Sequence, residues 1–116
     1  MKKRLLIFAS LALLALVCNP FESQDQPQPD RYTVSFRNKT YAGNAYFNFD
    51  GGTFSISSQS FQTIGTYETG SHTRGLVLDV SGKTYRWETI TISLTRSTTF
   101  VVYYDNERNS YLLGIE

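Results

Sequence analysis

The sequence predicts an all-β domain: an antiparallel meander of seven to nine short strands closed into a small barrel, with a two-sheet β-sandwich as the alternative. Three observations predict it. Apolar residues alternate with polar ones through Leu76, Leu78 and Val80, then Tyr85 and Trp87, then Ile90, Ile92 and Leu94. A period of two sends alternate side chains to opposite faces of a strand. β-branched and aromatic residues dominate these runs, as a pleated, half-buried surface favours. Short turn sequences separate the runs, no helical stretch lies between them, and no strand candidate contains proline. Closure removes exposed sheet edges, and short connections favour pairing between sequence neighbours.

The elements follow in order. The folded part is expected over 31–116. Tyr32, Val34 and Phe36 alternate with Thr33, Ser35 and Arg37 in a first strand. Asn38 and Lys39 form a turn candidate. Residues 40–49 read as a second strand, with Tyr41, Ala45, Phe47 and Phe49 on one face and an interruption at Gly43-Asn44. Asp50-Gly51-Gly52 is a hairpin turn, because glycine takes positive φ without a Cβ clash. Phe54 and Ile56 follow on a third strand, and 61–68 reads as a fourth. Residues 69–73 read as a loop carrying the only histidine, His72, as an exposed side chain. Residues 76–80 and 83–88 form a hairpin over Ser81-Gly82, continuing to Leu94 after a bend at Glu88-Thr89. Residues 99–104 and 111–115 close the chain around a polar turn at 105–109. Phe47, Phe49, Phe54, Phe61 and Phe100 are the expected core.

Before the domain, Lys2, Lys3 and Arg4 precede an apolar run of 13 residues, Leu5 to Val17. That is too short for a comfortable membrane span and suits the core of an export signal. The single cysteine, Cys18, stands where the run stops, so it has no internal disulfide partner. The arrangement over Lys2 to Cys18 resembles a bacterial lipoprotein signal, although Val17 stands where a small residue is usual. The resemblance implies cleavage after residue 17, lipidation of Cys18 and an exported domain tethered to a membrane in the cell envelope. Residues 18–30, rich in Gln, Asp and Pro after the anchor, hold too little apolar surface to fold and read as a flexible tether.

Composition excludes several functions. The whole chain carries 11 Lys+Arg against 10 Asp+Glu, and three of the basic residues belong to the leader. No basic field for a nucleic-acid backbone remains. With one histidine and one cysteine, no ligand spacing for a metal exists, and no cofactor is expected. Gly82-Lys83-Thr84 lacks the preceding glycine and following helix of a phosphate loop. Asp79 and Glu88 could meet across their hairpin, but solvent-facing positions suit them better. Asn38-Lys39-Thr40 matches a glycosylation acceptor, discounted beside a bacterial-type signal. No catalytic residue is expected.

Two family resemblances bear on function. Residues from Phe49 to Ser55 and from Ile64 to Glu68, followed by Leu76-Val77-Leu78, Leu94-Thr95 and Phe100 to Tyr104, resemble the small bacterial lipocalin-like lipoproteins over roughly 45–111. The opening Gly-x-Trp strand of that group is missing. Ser81-Gly82 and Tyr85 are similar to a motif of the membrane-bound c-type lysozyme inhibitors, without that family's paired cysteines. The first resemblance implies a lipocalin-like barrel and a non-enzymatic binding module for a small apolar or amphipathic ligand or an envelope component. Eight Tyr, eight Phe and one Trp are the main resource for such a site. Tyr67, Tyr85, Trp87 and Tyr103 are the expected ligand-binding residues, since each joins an apolar face to a polar tip. The second implies a protein-interaction module, such as an inhibitor of a secreted hydrolase or a subunit of an envelope assembly.

Overall fold

The structure, a computed structural model, describes residues 30–116. The expected leader and the anchor at Cys18 lie outside the described residues. Eight strands occupy the described chain: β1 (Arg31–Asn38), β2 (Gly43–Phe49), β3 (Gly52–Ile56), β4 (Ser60–Glu68), β5 (Gly70–Val80), β6 (Lys83–Leu94), β7 (Thr98–Asp105) and β8 (Ser110–Ile115). They form two four-stranded sheets, ordered β4-β1-β7-β8 and β3-β2-β5-β6.

The all-β class and the strand count match the sequence reading. The closed barrel and the all-antiparallel meander do not, and the architecture fits the two-sheet sandwich instead. β1 runs parallel to β7, with Val34 opposite Thr98 and Asn38 opposite Val102. Alternation reports which face a residue takes, not which strand lies beside it. A parallel partner far along the chain leaves no turn signature between the two strands.

Two hairpins close as predicted. Asp50 and Gly51 have φ of 49° and 85°, and Ser81 and Gly82 have φ of 51° and 83°. Positive φ at both central residues is what a type I′ turn requires, and its twist matches that of the flanking strands. Between β4 and β5 the chain changes sheets across Thr69 alone. Gly70 makes that corner at φ 126°, a conformation that side chains resist. The Thr69 amide donates to Asp30 O at 2.9 Å, and its hydroxyl donates to Leu94 O at 2.9 Å. The expected loop at 69–73 is therefore the beginning of β5, and His72 belongs to a strand.

The facing sheets bury Val34, Phe36, Phe100 and Val102 against Ala45, Phe47, Phe49, Ile56, Leu76, Leu78 and Leu94, none more than 2% exposed. Phe47 is central, with ring centroids 4.6 Å from Phe36 and 5.2 Å from Phe100. Phe61 departs from its expected core position and is 48% exposed. A bulge explains this. Val34 pairs with Gly65 and Ser35 with Thr63, so Ile64 is skipped and the alternation of β4 inverts beyond it. Phe61 then falls opposite Arg37 on the outer face, with the guanidinium 4.7 Å from its ring centroid.

Among the described residues one polar side chain is buried completely. Asn38, 0% exposed, ends β1 inside the sandwich. Its Nδ2 donates to Gly43 O at 2.9 Å and Ile56 O at 3.0 Å. Its Oδ1 accepts the Thr40 amide at 3.0 Å and the Thr40 hydroxyl at 2.7 Å. An amide so enclosed is no acceptor for a sugar, whatever motif surrounds it. Gly43 completes this corner. A Cβ there would lie 2.7 Å from Thr40 Oγ1 and 2.9 Å from both Leu78 Cδ1 and Val80 Cγ2. Gly43→Ala is expected to lower stability by about 1–3 kcal/mol through overpacking, measured as a reduced urea midpoint with an unchanged slope.

Candidate functional site

The corner pinned by Asn38 supports the most exposed aromatic side chain among the described residues. Tyr41, on the β1–β2 connection, is 89% exposed. It does not belong to a strand, as the sequence reading had it. Its loop is nevertheless held. Thr40 is buried, Lys39 N donates to Val102 O at 2.9 Å, and Gln59 Nε2 donates to Lys39 O at 2.9 Å and Thr40 O at 3.1 Å.

Tyr41 forms one wall of an open groove of about 560 Å³, lined further by Lys39, Ala42, Tyr103, Tyr104, Asn106 and Tyr111. The β7–β8 hairpin supplies the other wall, because Tyr104 stands directly opposite Tyr111 in register. Their rings meet edge to face with centroids 5.0 Å apart. Tyr85, from β6 of the other sheet, packs against Tyr111 at the same 5.0 Å separation. Tyr104 Oη donates to Asn109 Oδ1, fixing the hairpin mouth. Burial, then the neighbouring Tyr85 and Tyr104 hydroxyls, raise Tyr111 above its usual pKa, so it stays protonated and able to donate.

The four expected ligand-binding residues do not converge. Tyr103 lines this groove, and Tyr85 backs it through Tyr111. Trp87 borders a different depression of about 330 Å³, with Tyr46, Thr53 and Arg86. Tyr67 packs against Phe49 at 4.7 Å and His72 at 5.6 Å, near the start of β1 and away from the groove. Sequence reasoning missed the grouping of Tyr41, Tyr104 and Tyr111. The polar turn between Tyr104 and Tyr111 carried a signal, since a hairpin there brings those two rings together.

His72, expected as an exposed loop residue, has a side chain only 12% exposed. Nδ1 lies 2.6 Å from Asp50 Oδ2, and Nε2 lies 2.7 Å from Glu68 O. A carbonyl only accepts, so Nε2 carries a proton. A carboxylate facing Nδ1 favours a second proton there, and with it the imidazolium form. The Asp50 hydrogen bond, then that to Glu68 O, raise the imidazole pKa against the opposing effect of burial. Burial pushes the Asp50 carboxyl up. The His72 bond, the Thr73 amide and the imidazolium charge outweigh that and leave it below its usual value. With both nitrogens engaged, His72 is a cross-link between the sheets and not a general base.

Asp79 accepts the Thr84 hydroxyl at 2.8 Å, and Glu88 lies at the β6 bulge, so neither joins His72. Among the described residues no group of three or more His, Cys, Asp or Glu is placed to hold a metal ion. No helix among them is long and apolar enough to cross a membrane. No protein-family model matches the chain, and neither curated proteins nor solved structures give a significant match.

Proposed function

We propose that this chain is a non-enzymatic binding module, carried to the cell envelope and tethered there through Cys18, whose tyrosine groove takes a small amphipathic ligand or envelope component. One observation carries the reading: a tyrosine 89% exposed stands on a loop held by buried hydrogen bonds, facing two more tyrosines on a hairpin. Exposure of a large ring on a fixed loop has no packing purpose, whereas apolar faces with hydroxyl tips suit amphipathic ligands. The groove's volume lies within the range of small-molecule sites, roughly 300–1,000 Å³.

Native mass spectrometry of the protein extracted gently from its own membranes tests this. The expected result is an adduct of fixed mass that disappears in Tyr41→Ala/Tyr104→Ala with the fold intact. An adduct retained by that variant, or none in the wild type, overturns the groove reading. For the tether, Cys18→Ser is expected to lose the mass increment of lipidation and to leave the membrane fraction, measured by intact mass and fractionation.

A second reading, a protein-interaction module of the inhibitor or assembly-subunit kind, is favoured by the filled interior. Phe36, Phe47, Phe49 and Phe100 occupy the space where a barrel would hold its ligand. Cross-linking from the Tyr41 position that captures one protein stoichiometrically, with no small-molecule adduct, would select it.

A further inference from the structure

A second opening lies at one side of the sandwich, apart from the tyrosine groove. β6 ends one sheet and β8 ends the other, and neither has an outer partner among the described residues. Between them runs a cleft of about 340 Å³ lined by Ile90, Ile92, Phe100, Leu113, Gly114, Ile115 and Arg74. Ile90 and Ile115 are 46% and 61% exposed, which leaves the apolar lining accessible along the mouth.

Arg74 is out of place in such a lining. It sits in register between Phe49 and Ile90, on the face that elsewhere supplies the core. A guanidinium has five N–H donors. Here Nη1 donates to Glu88 O at 3.3 Å, and among the described residues no carboxylate lies within ion-pair distance. The nearest acidic residue in sequence to the cleft's β8 wall, Glu116, is held by Arg37 at 3.0 Å. Loss of water lowers the pKa of the Arg74 guanidinium, consistent with a charge lacking compensation.

We infer that this lateral cleft binds one aliphatic carboxylate, its head group on Arg74 and its chain along Ile90, Ile92, Leu113 and Ile115. A carboxylate supplies the planar, bidentate acceptor that a guanidinium matches, and an alkyl chain covers the exposed isoleucines. The volume, near the lower end for ligand sites at roughly 300–1,000 Å³, suits one chain of short to medium length. Other occupants fit less well. On the β6 side an added peptide strand needs a regular edge, and β6 is bulged at Glu88-Thr89 beside the cleft. A second copy joined about a two-fold axis would bring two uncompensated arginines to one contact.

Isothermal titration of the folded domain with octanoate, decanoate and dodecanoate, each below its micelle concentration, tests the inference. One saturable site is expected, tightening roughly fourfold per added methylene until the cleft is full. Arg74→Gln is expected to weaken decanoate binding by about tenfold or more, leaving methyl decanoate unchanged. Arg74→Lys, which keeps the charge but loses the bidentate fork, should bind decanoate more tightly than Arg74→Gln and less tightly than the wild type. Ile115→Glu, at an exposed edge position, should abolish binding of both compounds and serves if Arg74→Gln fails to fold. Tyr41→Ala should leave decanoate binding unaltered, which separates this site from the tyrosine groove. Absence of saturable decanoate binding to folded wild type would overturn the inference. So would equal affinity in Arg74→Gln, or a concentration-dependent dimer that Ile115→Glu dissociates.

Discussion

Asn38→Ala is expected to lower the stability of the domain by about 3–5 kcal/mol, because several buried groups lose partners at once and each unsatisfied one costs roughly 1–3 kcal/mol. The carbonyls of Gly43 and Ile56 lose the Asn38 amide as a donor, Gly43 O keeping only the Thr40 hydroxyl at 3.4 Å, and the Thr40 amide loses its acceptor. Water cannot replace them easily, since Asn38 and Thr40 are 0% and 1% exposed. The loss is a fifth or more of the roughly 5–15 kcal/mol that such domains have in total. Asn38→Asp distinguishes lost partners from lost volume. It keeps the acceptor toward Thr40, removes both donors and adds a buried charge. It should therefore be at least as damaging near neutral pH, and less so in acid as the carboxyl protonates. Urea unfolding of the two variants across pH measures both effects. A change below about 1 kcal/mol for Asn38→Ala would mean that the corner rearranges to satisfy itself.

That pin also shows why the sandwich was only partly legible. Strand positions follow from local chemistry, and the sequence carries them well. Asp50-Gly51 and Ser81-Gly82 are turns because of φ preferences that a dipeptide expresses alone. The β6 bulge is visible too, since the apolar positions change parity between Trp87 and Ile90, as a skipped residue demands. The β4 bulge is not. Phe61, Ile64 and Tyr67 are apolar on both sides of the slip, and either phase looks amphipathic. Least visible are contacts that join distant segments. Nothing near Asn38 announces Ile56 as a partner, and nothing near Val34 announces Thr98. The tyrosine groove has the same character. Its hairpin half was readable from the turn after Asp105, whereas Tyr41 reaches it only because β1 lies parallel to β7.

The second large effect is a dependence of stability on pH that His72 and Asp50 create together. Replacing His72 by Ala is expected to cost about 2–4 kcal/mol near pH 5–6, combining lost charge-assisted hydrogen bonds of roughly 1.5–3 kcal/mol with ring contacts of about 0.5–1.5 kcal/mol. Those contacts are to Phe49 at 5.5 Å, stacked, and Tyr67 at 5.6 Å, edge-on. Water reaches Asp50, whose side chain is 36% exposed, so the lower half of the range is expected. The sign follows from the two pKa directions. His72 is raised above its ordinary 6.5, so its contribution is complete below that value and is lost as pH rises through the folded pKa. Asp50 is lowered below its ordinary 3.8, so its contribution is complete above that value and is lost as pH falls through the folded pKa. The pair therefore stabilises fully between 3.8 and 6.5 and weakens on both sides.

His72→Phe keeps a ring against Phe49 and Tyr67 and should flatten the alkaline limb of the stability profile. Asp50→Asn keeps an oxygen for the Thr73 amide, 2.9 Å away in the wild type, and removes the charge. In that variant the imidazole pKa should return toward its ordinary value, read directly by NMR titration of the ring protons. A wild-type profile that is level from pH 5 to pH 8, beside an unshifted His72 titration, would show that the imidazolium bridge does not hold β5 to the β2–β3 turn. The same imidazole also joins β5 to β4 of the other sheet through Nε2 and Glu68 O, and so sets how firmly those strands stay docked at the end remote from Tyr41. Loss of it at alkaline pH should loosen that end first. Hydrogen exchange at the Thr69 and Thr73 amides should quicken there, while the Asn38 corner and the groove it supports remain protected.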